Sequence, residues 1–370
     1  MLDIKKLTIQ TLSTKQRSLN CCGKLQEAKL RRFHLFRSNI RNLEYYHDYR
    51  TFDEFERKCH DFYLMMGVQF LKNDDFDEVI IWRLKPKKPI KDITFDINGK
   101  KFIQKWVDSF DDVLNHPKPT VTFWRGGFKE YDKVTKNNHE FFSPGSLYLA
   151  AGRRIVPEFG GIYDKILIES NDDLDDNRVI FYKTCNPEVF KPLDMKSYMY
   201  DLCLVGNFTQ KDYKGQEFFI QQVSESDYLS TLKIVHIGNK PEIGKKLCDK
   251  YDVDNIEFKG WVERPAANTI LNVSRFGVVC SNKKDGCPRV STEVLCSGTP
   301  LLIRDKTRIP NYYKKYGTLT FNDNNLEDVV YEGLLNFKKY RKSLHKNIER
   351  LSMKSVCKKN IKQWKKFVAI

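Results

Sequence analysis

The chain has 370 residues, of which 41% are hydrophobic and 13% aromatic; this is enough for two ordinary cores and excludes a chain disordered by composition. Its formal charge of +16 favours an anionic partner: nucleic acid, a membrane surface or a phosphorylated substrate. No run approaches the roughly 20 apolar residues that span a bilayer, and residues 1–14 alternate apolar and polar without a secretory core, so a cytoplasmic protein is expected. The ten cysteines include no C-x-x-C pair, which argues for reduced thiols over a zinc ribbon or a redox pair.

The first 75 residues are expected to be mainly helical. Residues 24–41 are basic and place Leu25, Phe33, Phe36 and Ile40 near helical spacing. Residues 52–72 form the clearest helical stretch, with Phe55, Cys59, Phe62, Tyr63, Met66 and Phe70 on one apolar face. A buried-strand pattern follows at 78–84 (EVIIWRL), then a helix at 101–114. A short strand at 120–124 (TVTFW) precedes Arg125, Gly126 and Gly127. That loop joins a cation to exposed amides and is a candidate acceptor or phosphate loop, with a structural turn as the equal alternative. Residues 163–169 and 179–182 read as strands. Between them, NDDLDD at 171–176 contains Asp-x-Asp, read as a solvated turn; no metal site is assigned.

From residue 200 the rhythm becomes regular. Strands at 201–206, 232–238, 255–260, 276–280, 300–304 and 318–321 alternate with helices at 215–223, 241–250, 264–273, 289–297 and 326–340. Such alternation over short loops predicts a parallel sheet covered on both faces. These sheets bind ligands beyond the carboxyl ends of their strands, so the loops after Gly206, Gly238, Gly260 and Cys280 are where chemistry belongs. The expected domains are 1–196, on the acceptor side, and 197–352, with residues 353–370 as a helix returning to the first domain.

The most informative segment is SNKKDGCPRVSTEVLCSGTP, residues 281–300. Asp285 and Gly286 sit in a loop directly after a buried strand, and Pro288 suits the first turn of the next helix. The free amides and positive dipole end of that helix make an anion site, and Gly286 allows close backbone approach to a diphosphate. Glu293 lies about one turn inside, where a carboxylate accepts paired hydrogen bonds from vicinal hydroxyls. Gly298 then caps the helix.

This segment resembles the signature of the retaining, group 1 glycosyltransferases of the GT-B fold: an acid, seven residues, Glu, then a small-Gly-Thr-Pro turn. Asp285, Gly286, Cys287, Pro288, Arg289, Glu293, Gly298, Thr299 and Pro300 match in register, with Asp285 where the family usually has Glu. The resemblance implies that Glu293 binds the nucleotide ribose, that the loop amides around Gly286 and Cys287 bind diphosphate and sugar, and that Asp285 contacts the donor sugar. LVGNFTQKDYKG at 204–215 is similar to the family's phosphate loop. Lys214 takes the place of the phosphate-binding lysine beside Gly206, and Asn207 stands where an arginine is usual, with Arg289 or Lys211 as substitutes. FKGWV at 258–262, ending at Val262, resembles the loop that contacts the base, and NPEVFKP at 186–192 the interdomain turn. The resemblance spans residues 184–340. The N-terminal half lacks the family's Gly-rich acceptor loop.

The implied fold is α/β, of GT-B type, with two Rossmann-like domains facing a central cleft. The implied reaction moves a sugar from a nucleotide diphosphate sugar to an acceptor hydroxyl with retention, needing neither cofactor nor metal. Lys214 and Asp285 are the catalytic candidates, and the acceptor is a glycan, a lipid-linked or another hydroxyl compound. Rival readings are a nucleotide-sugar epimerase on the same fold, a nucleic-acid-binding or DNA-base-glycosylating protein, and a decayed enzyme that only binds. The basic segments 24–41 and 338–366 are read as amphipathic helices suited to peripheral membrane contact, ahead of nucleic acid.

Overall fold

The structure is a computed structural model that describes residues 32–36, 48–59, 62–73, 77–84, 91–107, 121–124, 147–149, 166–168, 178–180, 182, 184–209, 212, 214–281, 289–307, 309 and 311–368. The chain divides into two compact units. One holds the eight strands found among the described residues before Tyr182 and the stretch from Cys357 onward; the other runs from Tyr182 to Val356.

The first unit begins with β1 (Arg32–Phe36), α1 (Phe52–Lys58) and α2 (Phe62–Lys72). A capping box starts α1: Glu54 N–H donates to Thr51 Oγ1 at 3.2 Å, and Thr51 N–H to Glu54 Oε2 at 3.1 Å. The remaining strands are β2 (Glu78–Leu84), β3 (Ile93–Ile97), β4 (Lys100–Val107), β5 (Val121–Trp124), β6 (Leu147–Leu149), β7 (Ile166–Ile168) and β8 (Arg178–Ile180). They form one sheet in the order β3-β4-β2-β1-β5-β6-β7-β8, parallel except for the β3–β4 hairpin. Asn98 and Gly99, both at positive φ, make the two-residue turn of that hairpin. Phe55, Phe95 and Phe102 stack at its core, with ring centroids 5.0–6.2 Å apart.

The second unit repeats strand and helix: β9 (Tyr200–Val205), α3 (Gln216–Ser224), α4 (Asp227–Ser230), β10 (Ile234–Ile237), α5 (Pro241–Tyr251), β11 (Ile256–Gly260), α6 (Arg264–Asn272) and β12 (Ser274–Val279). Then follow α7 (Arg289–Cys296), β13 (Leu301–Arg304), α8 (Asn311–Lys314), β14 (Thr318–Phe321), α9 (Leu326–Leu335), α10 (Phe337–Asn347) and α11 (Met353–Val368). Its sheet is wholly parallel, in the order β11-β10-β9-β12-β13-β14. The central strands β9, β10, β12 and β13 are almost wholly apolar runs, as burial on both faces requires. Phe276 of β12 is fully buried and meets the rings of Phe337 and Tyr340 edge-on at 5.8 and 6.3 Å. Next to it, Gly277 lets α7 lie close: a β-carbon there would stand 2.5 Å from Val294 Cγ1.

Four expectations about secondary structure fail. The helical stretch expected at 52–72 is broken at Cys59, whose backbone is extended, into α1 and α2. Residues 24–41 are not one amphipathic helix, because β1 sits inside them and pairs with β2 on one side and β5 on the other. The helix expected at 101–114 is β4, which pairs with β2 over seven residues and with β3 over five. In it Phe102 and Gln104 are buried while Lys101 is exposed and Ile103 and Lys105 lie between, a period of two. The helix expected at 326–340 breaks at Asn336, whose side chain turns back to the Glu332 carbonyl at 3.2 Å; the chain restarts as α10. Of the C-terminal helix, residues 353–356 lie in the second unit and those from Cys357 in the first.

Replacing Phe276 by alanine removes the ring at the centre of the second core. We expect Phe276→Ala to lower unfolding stability by about 3–5 kcal/mol in urea titration, as large-to-small changes of buried aromatics do. A loss below about 1 kcal/mol would show that the core does not depend on it.

Candidate functional site

All six strands of the second sheet point the same way, so their following loops gather along one edge. At β9 and β10 those loops touch. Gly206 and Gly238 have φ of 149° and 153°, and a β-carbon on Gly238 would fall 2.0 Å from the Gly206 carbonyl oxygen. Only glycine permits that crossing. His236 of β10 is fully buried beneath it, between the rings of Phe208 and Phe258, and its Nε2–H donates to the Gly206 oxygen at 2.8 Å. Its Nδ1 has no partner among the described residues. Burial pushes its pKa down to about 4, against which the bond to Gly206 works only in part. Across the top, Asn239 N–H donates to Asn207 Oδ1 at 2.8 Å, so Asn207 joins the two loops.

The loop after β9 ends in a turn carrying Lys214, half-buried, and Gly215 in the left-handed conformation at φ 68°. A β-carbon on Gly215 would lie 2.2 Å from the Cys280 carbonyl oxygen. The Lys214 turn therefore packs directly on the chain leaving β12, the strand next to β9. Asp212 occupies the start of α3: its Oδ1 accepts from Glu217 N–H at 3.2 Å, and the amides of Gln216 and Phe218 also point to it. Burial raises the Asp212 pKa; those amides oppose the rise. One helix start at this edge thus already has a carboxylate of its own.

Beyond Cys280, residues 282–288 lie outside the described residues, so Asp285, Gly286, Cys287 and Pro288 have no structural account. Arg125, Gly126, Gly127, Lys211 and the 171–176 run also lie outside them. The flanks are clear. Thr307 donates its hydroxyl to the Ser281 carbonyl, holding the loop's start. Arg304, at the end of β13, stacks over Phe218 at 3.7 Å and pairs with Asp323 at 2.6 Å. On α7, Ser291, Thr292, Val294, Leu295 and Cys296 are buried and Glu293 is half-buried. Burial raises the Glu293 pKa, opposed by Arg289 and then Arg264. Arg289 is exposed on the first turn of α7. Arg264 opens α6, two residues after half-buried Val262 and three after exposed Trp261.

Gly206, Asn207, Lys214, Val262, Arg289 and Glu293 therefore all follow strands β9, β11 or β12 along one edge of one sheet. Sequence reasoning passed over three groups here. Arg264 is the cation that, with Arg289, faces Glu293; Asp212 fills the start of α3; His236 braces the Gly206 loop from below. The Arg-Pro pair at 264–265, opening a helix just after the expected base loop, was a usable signal for the first. The buried cysteines of this unit, among them Cys185, Cys203, Cys280 and Cys296, are free thiols. Among the described residues no cluster of His, Cys, Asp and Glu forms a metal site, and no helix is long and apolar enough to cross a membrane.

Residues 200–333 match the family model described as Glycosyl transferases group 1. No curated protein matches the chain by sequence. Solved structures resemble it over most of its length. A sucrose-phosphate synthase from Thermosynechococcus elongatus superposes with a TM-score of 0.61 at 12% identity, covering 92% of this chain and 99% of that one. A glycosyltransferase from Rickettsia africae gives the same values. An alpha-glucosyltransferase in complex with UDP and a 13-mer DNA gives 0.55 at 14% identity, covering 92% and 100%. At such identities the likeness is one of fold.

His236 makes a testable demand on this edge. Its folded pKa lies below the ordinary histidine value near 6.5, so the unfolded chain takes up the proton first. Stability is therefore full above about pH 6.5 and falls as pH drops from there through 4, by up to a few kcal/mol. Comparing urea midpoints at pH 7 and pH 4.5, the wild type should lose more than His236→Gln; equal losses would show that His236 does not carry this dependence. With the loops around Gly206 and Glu293 so placed, the chain has the GT-B fold, and its segment 200–333 matches the Glycosyl transferases group 1 family.

Proposed function

We propose that the protein transfers a sugar from a nucleotide diphosphate sugar to an acceptor hydroxyl, with retention of anomeric configuration. The observation that carries this reading is the placement of the Lys214 turn and the Glu293 helix behind adjacent strands, β9 and β12, at one carboxyl edge. That edge is where open α/β sheets bind their ligands. In this reading Glu293 accepts hydrogen bonds from the ribose hydroxyls, and Val262 lies in the loop that receives the base. Arg289 and Arg264 oppose the rise that burial gives the Glu293 pKa and so favour the carboxylate form, which a hydroxyl-accepting role needs.

Charge develops on the leaving diphosphate as the sugar departs. Lys214 meets that charge, with the amides of Gly286 and Cys287 at the entry to α7. Because Asp212 already serves the start of α3, the diphosphate is assigned to α7. Asn207 stands in a position where a second cation would help, and its side chain instead ties two loops together; Arg289 is the substitute cation. Asp285 contacts the sugar. A front-face departure of this kind needs no enzymic nucleophile, and a lysine with backbone amides takes the part of a metal ion, so no cofactor is proposed. The sugar is proposed to be a hexose. The acceptor is a glycan, a lipid-linked or another hydroxyl compound, met in part by the loop of Arg125, Gly126 and Gly127. An epimerase would need no acceptor, and a DNA-directed enzyme would need a duplex; the net charge of +16 suits DNA no better than it suits phosphorylated substrates.

The protein is proposed to act in the cytoplasm. With β1 inside residues 24–41, peripheral membrane contact is assigned to α11 alone. Lys354, Lys358 and Lys362 are exposed at intervals of four along it, opposite buried Met353, Val356, Cys357 and Ile361. Each such lysine near an anionic bilayer contributes about 1 kcal/mol, screened by salt.

Three outcomes follow. Glu293→Gln, measured by calorimetry with the nucleoside diphosphate, should weaken binding by about 1.5–3 kcal/mol, the range for a hydrogen bond to a charged group; unchanged affinity removes Glu293 from the site. In steady-state assays Lys214→Ala should depress turnover far more than it weakens the free nucleoside, because its charge meets the phosphates alone. Unaltered kinetics would end that assignment. Sedimentation with anionic vesicles should carry the wild type down at low salt and leave a Lys354→Glu, Lys358→Glu, Lys362→Glu variant in solution; equal sedimentation of both would discard the membrane contact.

A further inference from the structure

The opposite edge of the second sheet carries a groove of about 1420 Å³. Tyr198 and Arg275, at the amino ends of β9 and β12, line it, as do the carboxyl end of α9 and one face of α10. Since α9 follows β14 and runs back along the sheet, this groove lies at the end of the strands away from Lys214 and Glu293. The donor cannot be its ligand.

Its chemistry is two-sided. Leu193 and Leu334, half-buried, and buried Phe337 give it an apolar floor, and Leu335 adds apolar surface beside them. Leu335 is 73% exposed, the most exposed of the large apolar side chains described. Around that floor six lining residues are Lys or Arg, and the one acid is Asp194. Lys338, Lys342 and Lys346 stand at intervals of four on α10, all exposed. Like charges so spaced on a helix repel, and among the described residues none of the three has an acidic partner. Arg341 differs: its guanidinium lies over the Tyr198 ring at 5.2 Å and forms part of the wall. The groove thus holds uncovered apolar surface and uncompensated positive charge in one place.

A nucleic-acid backbone would answer the lysines and leave Leu335 wet. A flat bilayer would reach Leu335 but leave half-buried Leu193 and Leu334 unmet. One form of matter meets both: a helix with apolar side chains along one stripe and carboxylates beside it. Such a helix is about 10–12 Å across, and its i, i+4 rows repeat at the spacing of the lysines on α10. We propose that this groove docks an acidic amphipathic helical segment of a partner protein, apolar side chains on Leu334 and Leu335 and carboxylates on Lys338, Lys342 and Lys346.

The test uses the full chain and four probes: a labelled amphipathic peptide with Glu and Leu at helical spacing, the same composition scrambled, and, as separate arms, duplex DNA and anionic vesicles. The ordered peptide should bind, in fluorescence anisotropy, at least about tenfold more tightly than the scrambled one, and the affinity should fall with added salt. Lys338→Glu with Lys342→Glu should weaken it by about tenfold or more, and Leu335→Asp, a change at an exposed position, should do so separately. Both variants should keep the wild-type melting temperature and the wild-type response to nucleotide, which separates docking from folding and from the donor site. Absence of peptide binding, equal binding of the scrambled peptide, or binding untouched by both variants overturns the proposal. DNA or vesicle binding that the Lys338/Lys342 variant abolishes, with the peptide inert, overturns it in favour of those partners.

Discussion

Backbone meets backbone at the carboxyl edge of the second sheet. A β-carbon would fall 2.0 Å from a carbonyl oxygen at Gly238 and 2.2 Å at Gly215. Through these two crossings the loops after β9, β10 and β12 support one another. The first crossing sets the Gly206 loop on the buried ring of His236. The second presses the Lys214 turn against the chain that leaves β12 for α7. A site assembled from separate loops needs such fixed points, because a displacement of about 1 Å costs much of the benefit of orientation. The glycines lend no chemistry of their own; they let the strands' neighbours come close enough to act together.

Electrostatics divides the labour at this edge. The start of α3 is served by Asp212 from within the chain, and Arg304 is held by Asp323 and Phe218. Glu293 remains half-buried with its pKa raised by burial and opposed by Arg289 and Arg264. A carboxylate kept in such a place is costly unless something accepts its charge or its hydrogen bonds. The proposed ribose contact gives it that use. On the far side of the sheet, α10 carries a row of lysines beside exposed Leu335, so the same unit presents two surfaces of different chemistry at its two ends.

The second unit was largely legible in the sequence. Its strands are short apolar runs bounded by glycine or a charged residue, and their observed ends fall within about two residues of those expected, as at Thr318–Phe321. The first unit was not, for two physical reasons. In KKFIQKWV, apolar residues at 102, 103, 106 and 107 mimic helical spacing, and only pairing with β2 and β3 settles the strand. The Asn98-Gly99 turn was the local clue. In RFHLF the surrounding basic residues suggest a solvated helix, yet pairing on both sides places it at mid-sheet. Within the site, the resemblance to the group 1 glycosyltransferase motifs named Lys214, Glu293 and Arg289. Asp212 caps the helix that follows it and Arg264 opens α6 beside Pro265, local signals that were passed over, whereas His236 was invisible because its role arises from contact with the Gly206 loop, far away in sequence.

The central claim is that the carboxyl edge of the second sheet binds a nucleotide diphosphate sugar. Its most direct test is a thermal-shift screen of the full chain against nucleoside diphosphates and their sugar conjugates. A ligand that binds the folded chain alone raises stability by RT ln(1 + [L]/Kd), about 2.7 kcal/mol at a hundredfold excess over Kd. The account predicts that one base family raises the melting temperature in a concentration-dependent way, with the diphosphate and its sugar conjugate well ahead of the nucleoside. A melting temperature unmoved by every nucleotide and nucleotide sugar at millimolar concentration would contradict it.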